Sequence, residues 1–577
     1  LLSAYGIGQA QVRALRQGGL EQPLDAEGLG AADRLGQGLL SAAAADLADQ
    51  GAAVETRQVT LRLRYDGADA ELPVAPGEVA AVRAAFEAAH ARLFGFIEPD
   101  RQILIAAVEA EVGAGEAGVS ETEAQASAPK AAAPQSADAF IKGRTVQVPV
   151  VEAADLIELE GPALIIRPDT QIALAPGWRA QAGEDGLIVL QRLDGEDRQT
   201  AAGGDLAGAD PITLELFNRR FMGVAEAMGA ALERTAQSVN IKERLDFSCA
   251  LFDPDGGLVA NAPHMPVHLG SMGASVRAVR DRHPVLKSGQ AFALNNPYAG
   301  GTHLPDITVV MPVFVSGAER PSFYVAARGH HADVGGVQPG SMPPFSTRID
   351  EEGVLLDALP IMAEGQFLEA QVGAALTAGP WPSRAPDRNI ADLKAQIAAC
   401  RAGGEAVAAM IDSFGAPVVE AYMGHVQANA TAAVRRAIGR LRDGAAVTQM
   451  DGGATIAVEI KVDPTAGRAV LDFTGSSDQV ASNFNAPASI VDAAALYVFR
   501  TLVDDDIPLN AGCLAPLDIR VRKGSLLDPA PGAAVVAGNV ETSQHVVDVL
   551  YAALGVMAGA QGTMNNFPFG DETRQYY

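Results

Sequence analysis

Residues 295–310 read NNPYAGGTHLPDITVV, and residues 324–341 read YVAARGHHADVGGVQPGS. Each stretch joins a run of β-branched and other apolar residues, typical of a strand, to glycines, prolines and histidines, which are typical of turns. Strands and helices alternate on both sides of these stretches, which favours a mixed α/β domain. We expect the two histidine-bearing loops to fold toward one point, although they are well separated along the chain.

A metal site is the first prediction for these loops. A proline lies between His303 and Asp306, so no regular helix is expected there and a tight turn can direct both side chains inward. His330 and His331 follow the strand-like YVAAR, and successive residues of an extended chain point to opposite faces, with His331 on the face of Asp333. We predict His331 as the third ligand beside His303 and Asp306, and His330 as the alternative if the strand ends in a turn.

The side chains of this group suit several metals. Imidazole and carboxylate groups are ligands of zinc, manganese and iron, and their composition alone does not choose among these. An open coordination position can hold an activated water or a substrate oxygen. The alternative is that the histidines only bond backbone carbonyls of glycine-rich turns. Three histidines and two aspartates between residues 303 and 333 favour the metal or catalytic role.

A second histidine pair lies in residues 260–273, ANAPHMPVHLGSMG. His264 and His268 have the spacing of one helical face, but Pro263 and Pro266 are expected to prevent a helix, which predicts a loop approaching the same pocket. We predict that His268 contacts substrate or supports the metal ligands. The alternative is that one of the two is a buried structural histidine.

Other polar groups give weaker predictions. A serine nucleophile at Ser248 has no GxSxG elbow to support it, and Cys249 is predicted to be a packed core residue. The stretches DFTGSSDQVASNFNAP and GNVETSQHVVD supply amides and acids that either line a polar pocket or stabilise loops. These residues are Asn483, Asn485, Asn539, Glu541 and His545.

Composition and charge bound the class of protein. Hydrophobic residues make up 48% and charged residues 20%, as in folded globular proteins. The formal charge of -27 and the pI near 4.7 argue against a nucleic acid partner, because phosphate binding needs clustered lysine and arginine. The three cysteines form no CxxC pair, so neither a disulfide framework nor a thiolate zinc site is expected.

Targeting segments are not evident. No apolar run reaches the roughly 18 residues of a transmembrane helix, and the amino end lacks the basic, apolar and small-residue regions of a signal peptide. We expect a soluble, cytoplasmic protein without a membrane partner. The first residue is Leu1 and neither end carries a capping signal, so we expect a fragment of a longer protein.

Changes in composition divide the chain. A strand at residues 54–66 and a helix at residues 78–96 indicate an α/β module, and later short β-like runs between Pro, Gly and Asp turns indicate a small β-rich domain. Segments rich in Ala, Gly, Ser and Pro indicate flexible connections. The predicted order is an α/β domain at 1–112, a linker at 113–139, a β-rich domain at 140–195, a linker at 196–210 and a large mixed domain at 211–577.

Within the large domain, periodicity predicts two long helices, NIADLKAQIAACRAGGEAVAAMID and VVEAYMGHVQANATAAVRRAIGRLR, and a hairpin of TIAVEIKVD with RAVLDFTGS. A GxxxxGK[ST] phosphate loop does not occur. The sequence GAGEAG at residues 113–118 runs into the linker instead of opening a helix, so it is linker composition. The chain therefore lacks a local signature for binding a nucleotide.

Four strings carry a family resemblance: RRFMGVAEAMGAALERTAQSVNIKERLDFSCALFD, HMPVHLGSMGASV, NNPYAGGTHLPDITVVMPVF and GHHADVGGVQPGSMP. Together they resemble the B component of the hydantoinase and 5-oxoprolinase family, from about residue 210 to the end. RLRYDG, FEAAHARLFGF and GPALIIRPDTQIALAPGW, all before about residue 195, resemble the carboxyl-side half of the A component. The joining of both parts in one chain is most similar to bacterial 5-oxoprolinases.

The resemblance implies an α/β and α+β multidomain fold: the tail of an actin-like ATPase module, a small β-rich domain and a large mixed α/β domain of the hydantoinase B type. It implies ATP-dependent hydrolysis of a cyclic amide, most simply 5-oxo-L-proline to L-glutamate with ADP and phosphate. The family's metal ligands correspond to His303, Asp306 and one of His330 or His331. The implied cofactors are ATP with magnesium and a second divalent metal, and the implied assembly is a homo-oligomer, a dimer.

Other functions stay open at this point. An N-methylhydantoin hydrolase and an acetone carboxylase-like enzyme have the same resemblance, and a noncatalytic assembly subunit needs the histidines only to stabilise loops. Most phosphate-binding loops of the A component are expected upstream of this chain. We therefore predict negligible ATP turnover for the chain alone, and phosphate release dependent on 5-oxoproline would contradict that prediction.

Overall fold

A computed structural model describes residues 12–68, 70–94, 96–114, 135–141, 144–167, 170–183, 187–193, 208–262, 264–315, 317–504, 507–563, 569–570 and 575–576. The fold is mixed α/β with several separate sheets. Arg13–Gly113 and Leu206–Tyr577 together form one compact unit, and the described strands between residues 135 and 192 belong to a second unit. The predicted linker at 196–210 lies mostly outside the described residues.

The first sheet of the large unit is antiparallel, with strand order β1-β4-β2-β3. Its apolar face packs around Tyr65, Phe86 and Ile105. The strand predicted at residues 54–66 and the helix predicted at residues 78–96 are both confirmed. The elements are β1 (Arg13–Pro23), α1 (Ala26–Asp49), β2 (Thr56–Tyr65), β3 (Leu72–Val74), α2 (Val79–Phe94) and β4 (Ile103–Gly113).

The β-rich unit has two small sheets, β5-β6-β8-β9 and β11-β10-β7. Its hydrophobic core is small, with Ile165 and Leu174 among its buried residues. The first strand begins at Gln135, inside the segment predicted as a linker. The strands are β5 (Gln135–Ile141), β6 (Arg144–Glu152), β7 (Glu158–Glu160), β8 (Ala163–Ile166), β9 (Gln171–Leu174), β10 (Trp178–Ala182) and β11 (Ile188–Arg192).

A seven-stranded antiparallel sheet forms the centre of the large unit, with strand order β13-β12-β16-β15-β14-β17-β18. Its middle strands are almost entirely buried, because helices cover both faces. The strands are β12 (Phe247–Phe252), β13 (Leu258–Asn261), β14 (Ala291–Leu294), β15 (Asp306–Val313), β16 (Phe323–His330), β17 (Leu359–Ala363) and β18 (Gln366–Phe367).

Two helical layers cover this sheet. On one face Val310 and Ala326 pack on α5, and on the other face Gln396 of α7 donates to the carbonyls of Ile307 and Ala327, at 2.8 and 2.9 Å. The two predicted long helices are confirmed as α7 and α8. The helices are α3 (Pro211–Thr235), α4 (Val239–Lys242), α5 (Pro266–Arg282), α6 (Glu369–Leu376), α7 (Pro386–Phe414) and α8 (Ala416–Ile438).

A last layer packs behind α5. The predicted hairpin is confirmed as two strands of a four-stranded sheet with order β19-β20-β21-β22, and Leu471 and Phe499 lie in its core. The elements are β19 (Gly444–Gln449), β20 (Thr455–Asp463), β21 (Arg468–Asp472), α9 (Ala488–Thr501), β22 (Leu517–Arg520), a π-helical turn (Gly538–Thr542) and α10 (Ser543–Leu554), with a short pair β23 (Phe569–Gly570) and β24 (Gln575–Tyr576) further on.

No single helix in the described ranges is long and apolar enough to cross a bilayer. In the same ranges, α7 and α8 reach the required length and hydropathy only when they are counted as one segment. These two helices are bent by 114° at the break between them.

Candidate metal centre

The β15–β16 hairpin provides the platform of the site. Asp306 and His330 are direct partners across the antiparallel ladder, so both side chains point to the face covered by α5. Asp306 Oδ1 lies 2.9 Å from His330 Nδ1. Asp306 is the first residue of β15 and His330 is the last residue of β16. The pair therefore lies at the open end of the hairpin, away from the loop that connects the two strands.

His303 reaches the same carboxylate from the loop before β15. Gly300 has a φ of 87°, and a Cβ there would lie 2.5 Å from the backbone of Ala274 on α5, so only glycine allows the loop to turn this close to the helix. The His303 Nδ1 atom is 3.3 Å from the carbonyl oxygen of Val536 and Nε2 is 3.1 Å from Asp306 Oδ1. Since a carbonyl only accepts, Nδ1 carries a proton, and Nε2 is the ring nitrogen that faces Asp306.

That contact places two electron-rich atoms together. A proton or a metal cation between His303 Nε2 and Asp306 Oδ1 makes this short contact attractive. The possible ligand atoms of His303, Asp306 and His330 all lie within 4.8 Å of one another. Nitrogen and carboxylate oxygen ligands at this spacing fit a divalent cation of the zinc, manganese or iron type.

His268 contacts the other oxygen of the same carboxylate. His268 Nε2 is 3.2 Å from Asp306 Oδ2, and His268 Nδ1 is 3.2 Å from Ser248 Oγ. The expectation of a loop here is wrong: α5 begins at Pro266, because the first helical turn needs no amide hydrogen and tolerates proline. His268 therefore stands in the first turn of a helix and points at the sheet.

His264 is the structural member of its pair. Its Nδ1 accepts a hydrogen bond of 3.1 Å from the amide of Cys249, and burial, followed by the charge of His268, lowers its pKa to about 4. Cys249 is fully buried, as predicted for a core residue. Ser248 is also fully buried, and its hydroxyl orients His268 through the contact with Nδ1.

Asp306 is the electrostatic centre of the group. Burial alone would raise the pKa of this carboxyl, but attraction and hydrogen bonds to His303 and His268 outweigh burial and hold the pKa well below its ordinary range. Thr302 Oγ1 donates a further hydrogen bond of 3.0 Å. Burial lowers the pKa of His330, but its hydrogen bond to Asp306 and the charges of Asp246 and Asp306 together outweigh burial, so the net shift is upward.

His331, the first choice for the third ligand, lies outside this group. Its Nε2 bonds Gln396 Oε1 at 3.1 Å, its Nδ1 bonds Asn389 Nδ2 at 3.0 Å, and both partners belong to α7 on the opposite face of the sheet. The two histidines do alternate, as expected, but the strand register puts His330 on the face of Asp306. Asp333 is also elsewhere, since it pairs with Arg384 at 2.9 Å.

A buried arginine links the strands of the site to α5. Arg328 lies two residues before His330 in β16, on the same face of the sheet. It donates to Thr308 Oγ1 at 2.7 Å and to Ser275 Oγ at 2.9 Å. Burial lowers its pKa to about 10, and the charge of Asp306 opposes that shift. Sequence reasoning did not select Arg328, although an arginine inside an apolar strand was an available signal.

The polar residues predicted to line a pocket lie in three different places. Asn485 only stabilises a loop, because its amide bonds the carbonyls of Val480 and Ala534. Asn483, Glu541 and His545 line one cavity of about 450 Å³. The remaining residue, Asn539, lines a different cavity of about 480 Å³, and its Nδ2 lies 3.2 Å from His303 Nε2.

The sheet, its two helical layers and the buried histidine and aspartate cluster define a mixed α/β protein with a candidate metal centre. Residues 210–577 match the family model described as Hydantoinase B/oxoprolinase. The chain belongs to the hydantoinase B/oxoprolinase family, and the resemblance drawn from its motifs is confirmed.

Relatives and a solved structure extend this result. The whole chain is 40% identical to 5-oxoprolinase 1 of Arabidopsis thaliana and covers 48% of it. Over 90% of its length it is 39% identical to 5-oxoprolinase of Dictyostelium discoideum, of which it covers 41%. The chain therefore spans less than half of either relative. The crystal structure of the ATP-dependent caprolactamase from Pseudomonas jessenii has a similar fold, with a TM-score of 0.53, 23% identity and 60% of each chain covered.

Proposed function

We propose that this chain carries the hydrolytic centre of an ATP-dependent cyclic amidohydrolase that converts 5-oxo-L-proline to L-glutamate, ADP and phosphate. The observation that carries the proposal is the buried Asp306 carboxylate, which three imidazoles contact on a scaffold of the oxoprolinase family. The names of the two 5-oxoprolinase relatives support the choice of substrate.

The proposed reaction explains the need for ATP. A five-membered lactam has a resonance-stabilised amide, so its carbonyl carbon is a poor electrophile. Transfer of the terminal phosphoryl group of ATP to the lactam oxygen releases ADP and activates that carbon. One water then adds and the ring C–N bond breaks with protonation of nitrogen, which leaves an acyl phosphate that a second water hydrolyses to L-glutamate and phosphate.

The residues of the centre have separate roles in this proposal. His303, Asp306 and His330 would hold a divalent metal, which supplies Lewis-acid polarisation of oxygen when bound. The Val536 carbonyl fixes the tautomer of His303 and so directs its Nε2 lone pair inward. His268 is placed beside Asp306 Oδ2, where it orients the carboxylate and lies close enough to exchange a proton with it.

The metal and nucleotide assignments complete the proposal. Manganese, zinc and iron all suit the ligand set, and magnesium would accompany ATP. We propose that residues 1–112 are the tail of an actin-like ATPase module whose other part binds most of the nucleotide. We further propose a cytoplasmic homo-oligomer, a dimer, that binds neither nucleic acid nor membrane.

Substitution of Asp306 in the full-length protein tests the function. Asp306→Asn keeps the side-chain shape but removes the charge that three imidazoles contact, so we expect loss of bound metal and at least a hundredfold loss of L-glutamate formation. The matched control is Asp392→Asn, since Asp392 is equally buried but accepts from the amides of Gln237 and Ser238. Glutamate, phosphate and metal content are measured together.

Two outcomes would overturn the proposal. Retained glutamate formation in Asp306→Asn would remove the site from the reaction. ATP hydrolysis driven by N-methylhydantoin or by acetone with bicarbonate, and not by 5-oxo-L-proline, would assign the same centre to a different reaction.

A further inference from the structure

A short segment of buried backbone, Ala533–Val536, passes beside His303 and belongs to no helix or strand. Ala534 and Val535 are fully buried, and Val536 is 2% exposed. Buried backbone outside helices and sheets takes its hydrogen-bond partners from side chains, from other loops or from water. The groups that bind this segment therefore decide where its carbonyl oxygens point.

Glu352 binds the amides of this segment. Its side chain is fully buried, and Oε1 accepts from the amides of Val535 and Val536 at 3.0 and 3.1 Å. The same oxygen accepts from Ser346 Oγ at 2.8 Å, and Oε2 lies 3.1 Å from the Val535 amide. One buried carboxyl group thus holds two successive peptide groups.

The Val536 carbonyl connects the segment to the candidate metal centre. His303 Nδ1 donates to this carbonyl at 3.3 Å, and Nε2 of the same ring lies 3.1 Å from Asp306 Oδ1. Because the amide and the carbonyl belong to one residue, a bond from the Val536 amide to Glu352 restricts where the carbonyl can lie. A fixed partner on one ring nitrogen directs the other nitrogen at a metal.

Two neutral side chains bind the carbonyls of the same segment. The Tyr298 hydroxyl donates to the Ala533 carbonyl oxygen, and Tyr298 lies in the loop that also carries His303. Asn485 Nδ2 donates to the Ala534 carbonyl oxygen at 3.0 Å. Glu352 therefore supplies the acceptor for the amides, while these two residues supply donors for the carbonyls.

We propose that Glu352 is a positioning residue of the metal centre, which holds Val535 and Val536 so that the Val536 carbonyl directs His303 to the metal. This inference rests on the proposed function, because it takes His303 as a metal ligand. Glu352 acts through the backbone and is not itself a ligand. Groups that orient metal ligands commonly change metal affinity by roughly tenfold to a hundredfold.

The affinity of the full-length protein for Mn²⁺, measured by competition with a fluorescent chelator at one fixed pH, tests the proposal. Glu352→Met removes the acceptor at similar length, so we expect Mn²⁺ to bind about tenfold more weakly. Glu352→Gln keeps an oxygen that can accept from both amides, so we expect recovery to within about threefold of the parent.

The matched control is Asp392→Leu. Asp392 is equally buried, and its Oδ1 also accepts from two successive amides, those of Gln237 and Ser238, but it lies on α7 on the other face of the sheet. Loss in Glu352→Met, recovery in Glu352→Gln and parent-like affinity in Asp392→Leu support the proposal. Parent-like affinity in Glu352→Met, no recovery in Glu352→Gln, or equal losses in Glu352→Met and Asp392→Leu overturn it.

A milder variant loosens the same segment and keeps Glu352. Tyr298→Phe removes only the hydroxyl that binds the Ala533 carbonyl, so we expect about threefold weaker Mn²⁺ binding. Parent-like affinity in this variant would show that the segment does not direct His303, even where Glu352→Met is too unstable to measure.

The readout separates this inference from the proposed reaction, because metal binding is measured without turnover. A parent that binds Mn²⁺ but forms no L-glutamate from 5-oxo-L-proline and ATP contradicts the reaction and leaves the role of Glu352 standing. A parent that binds no Mn²⁺ removes both.

Discussion

Asp306 and His330 face each other across the β15–β16 ladder, with 2.9 Å between Asp306 Oδ1 and His330 Nδ1, while the adjacent His331 turns to the opposite face of the sheet. Two neighbouring histidines thus have different surroundings. His330 contacts the shared carboxylate, and His331 contacts two side-chain carboxamides of α7.

This difference predicts opposite effects of two adjacent substitutions. His330→Ala removes a ligand, so we expect loss of stoichiometric Mn²⁺ or Zn²⁺ binding, measured by elemental analysis after dialysis. His331→Ala should keep the metal but lower the free energy of unfolding by about 1–3 kcal/mol, because Asn389 and Gln396 lose a buried partner. Metal loss in His331→Ala with retention in His330→Ala would reverse the assignment.

Even the conservative substitution Arg328→Lys is predicted to destabilise the protein. Arg328 is fully buried and its guanidinium bonds Thr308, Ser271 and Ser275 at once, which a single ammonium group cannot reproduce. We expect Arg328→Lys to lower the free energy of unfolding in urea by about 2–4 kcal/mol. The control Arg219→Lys affects an exposed ion pair and should change it by less than about 0.5 kcal/mol. Equal effects would contradict this account.

The carboxyl group of Glu352 is expected to make the free energy of unfolding depend on pH. It is buried, and burial raises its pKa to about 7 from an ordinary value of 4.5, although the amides of Val535 and Val536 and the Ser346 hydroxyl oppose the shift. The folded protein therefore holds this proton more tightly than the unfolded chain. Its contribution to stability is complete below about pH 4.5 and is lost as the pH rises through about 7.

Glu352→Gln should remove this dependence, because the Gln oxygen keeps the acceptor role without a titrating proton. We expect the variant to gain about 3 kcal/mol relative to the parent between pH 4.5 and pH 8 in urea unfolding experiments. Glu319→Gln, on an exposed loop, controls for the loss of one negative charge. An unchanged difference between variant and parent across this range would show that Glu352 does not titrate as described.

Local sequence patterns predicted the elements and part of the site. The helical period of α7 and α8 and the alternation in β20 and β21 are properties of short windows, so they were readable without a fold. The approach of His303 to Asp306 also depends on only two intervening residues and a tight turn. These predictions required no knowledge of distant contacts.

The rest depended on strand register and on long-range contacts. The choice between His330 and His331 follows from which residue of β16 pairs with Asp306, and alternation alone does not fix that register. The contacts of His303 with Val536 and Asn539 join residues 233 and 236 positions apart. Periodicity within a short window carries no information about such pairs.

The hairpin that presents Asp306 and His330 also affects how the protein should respond to chelation. The ladder and the helices on both faces hold these side chains in place independently of any ion. We therefore expect the backbone of stripped and reloaded protein to superimpose, unlike small zinc domains that unfold when the ion leaves. Exchange of one metal for another should then proceed at equilibrium in the native state, so affinities for competing ions can be ranked on intact protein.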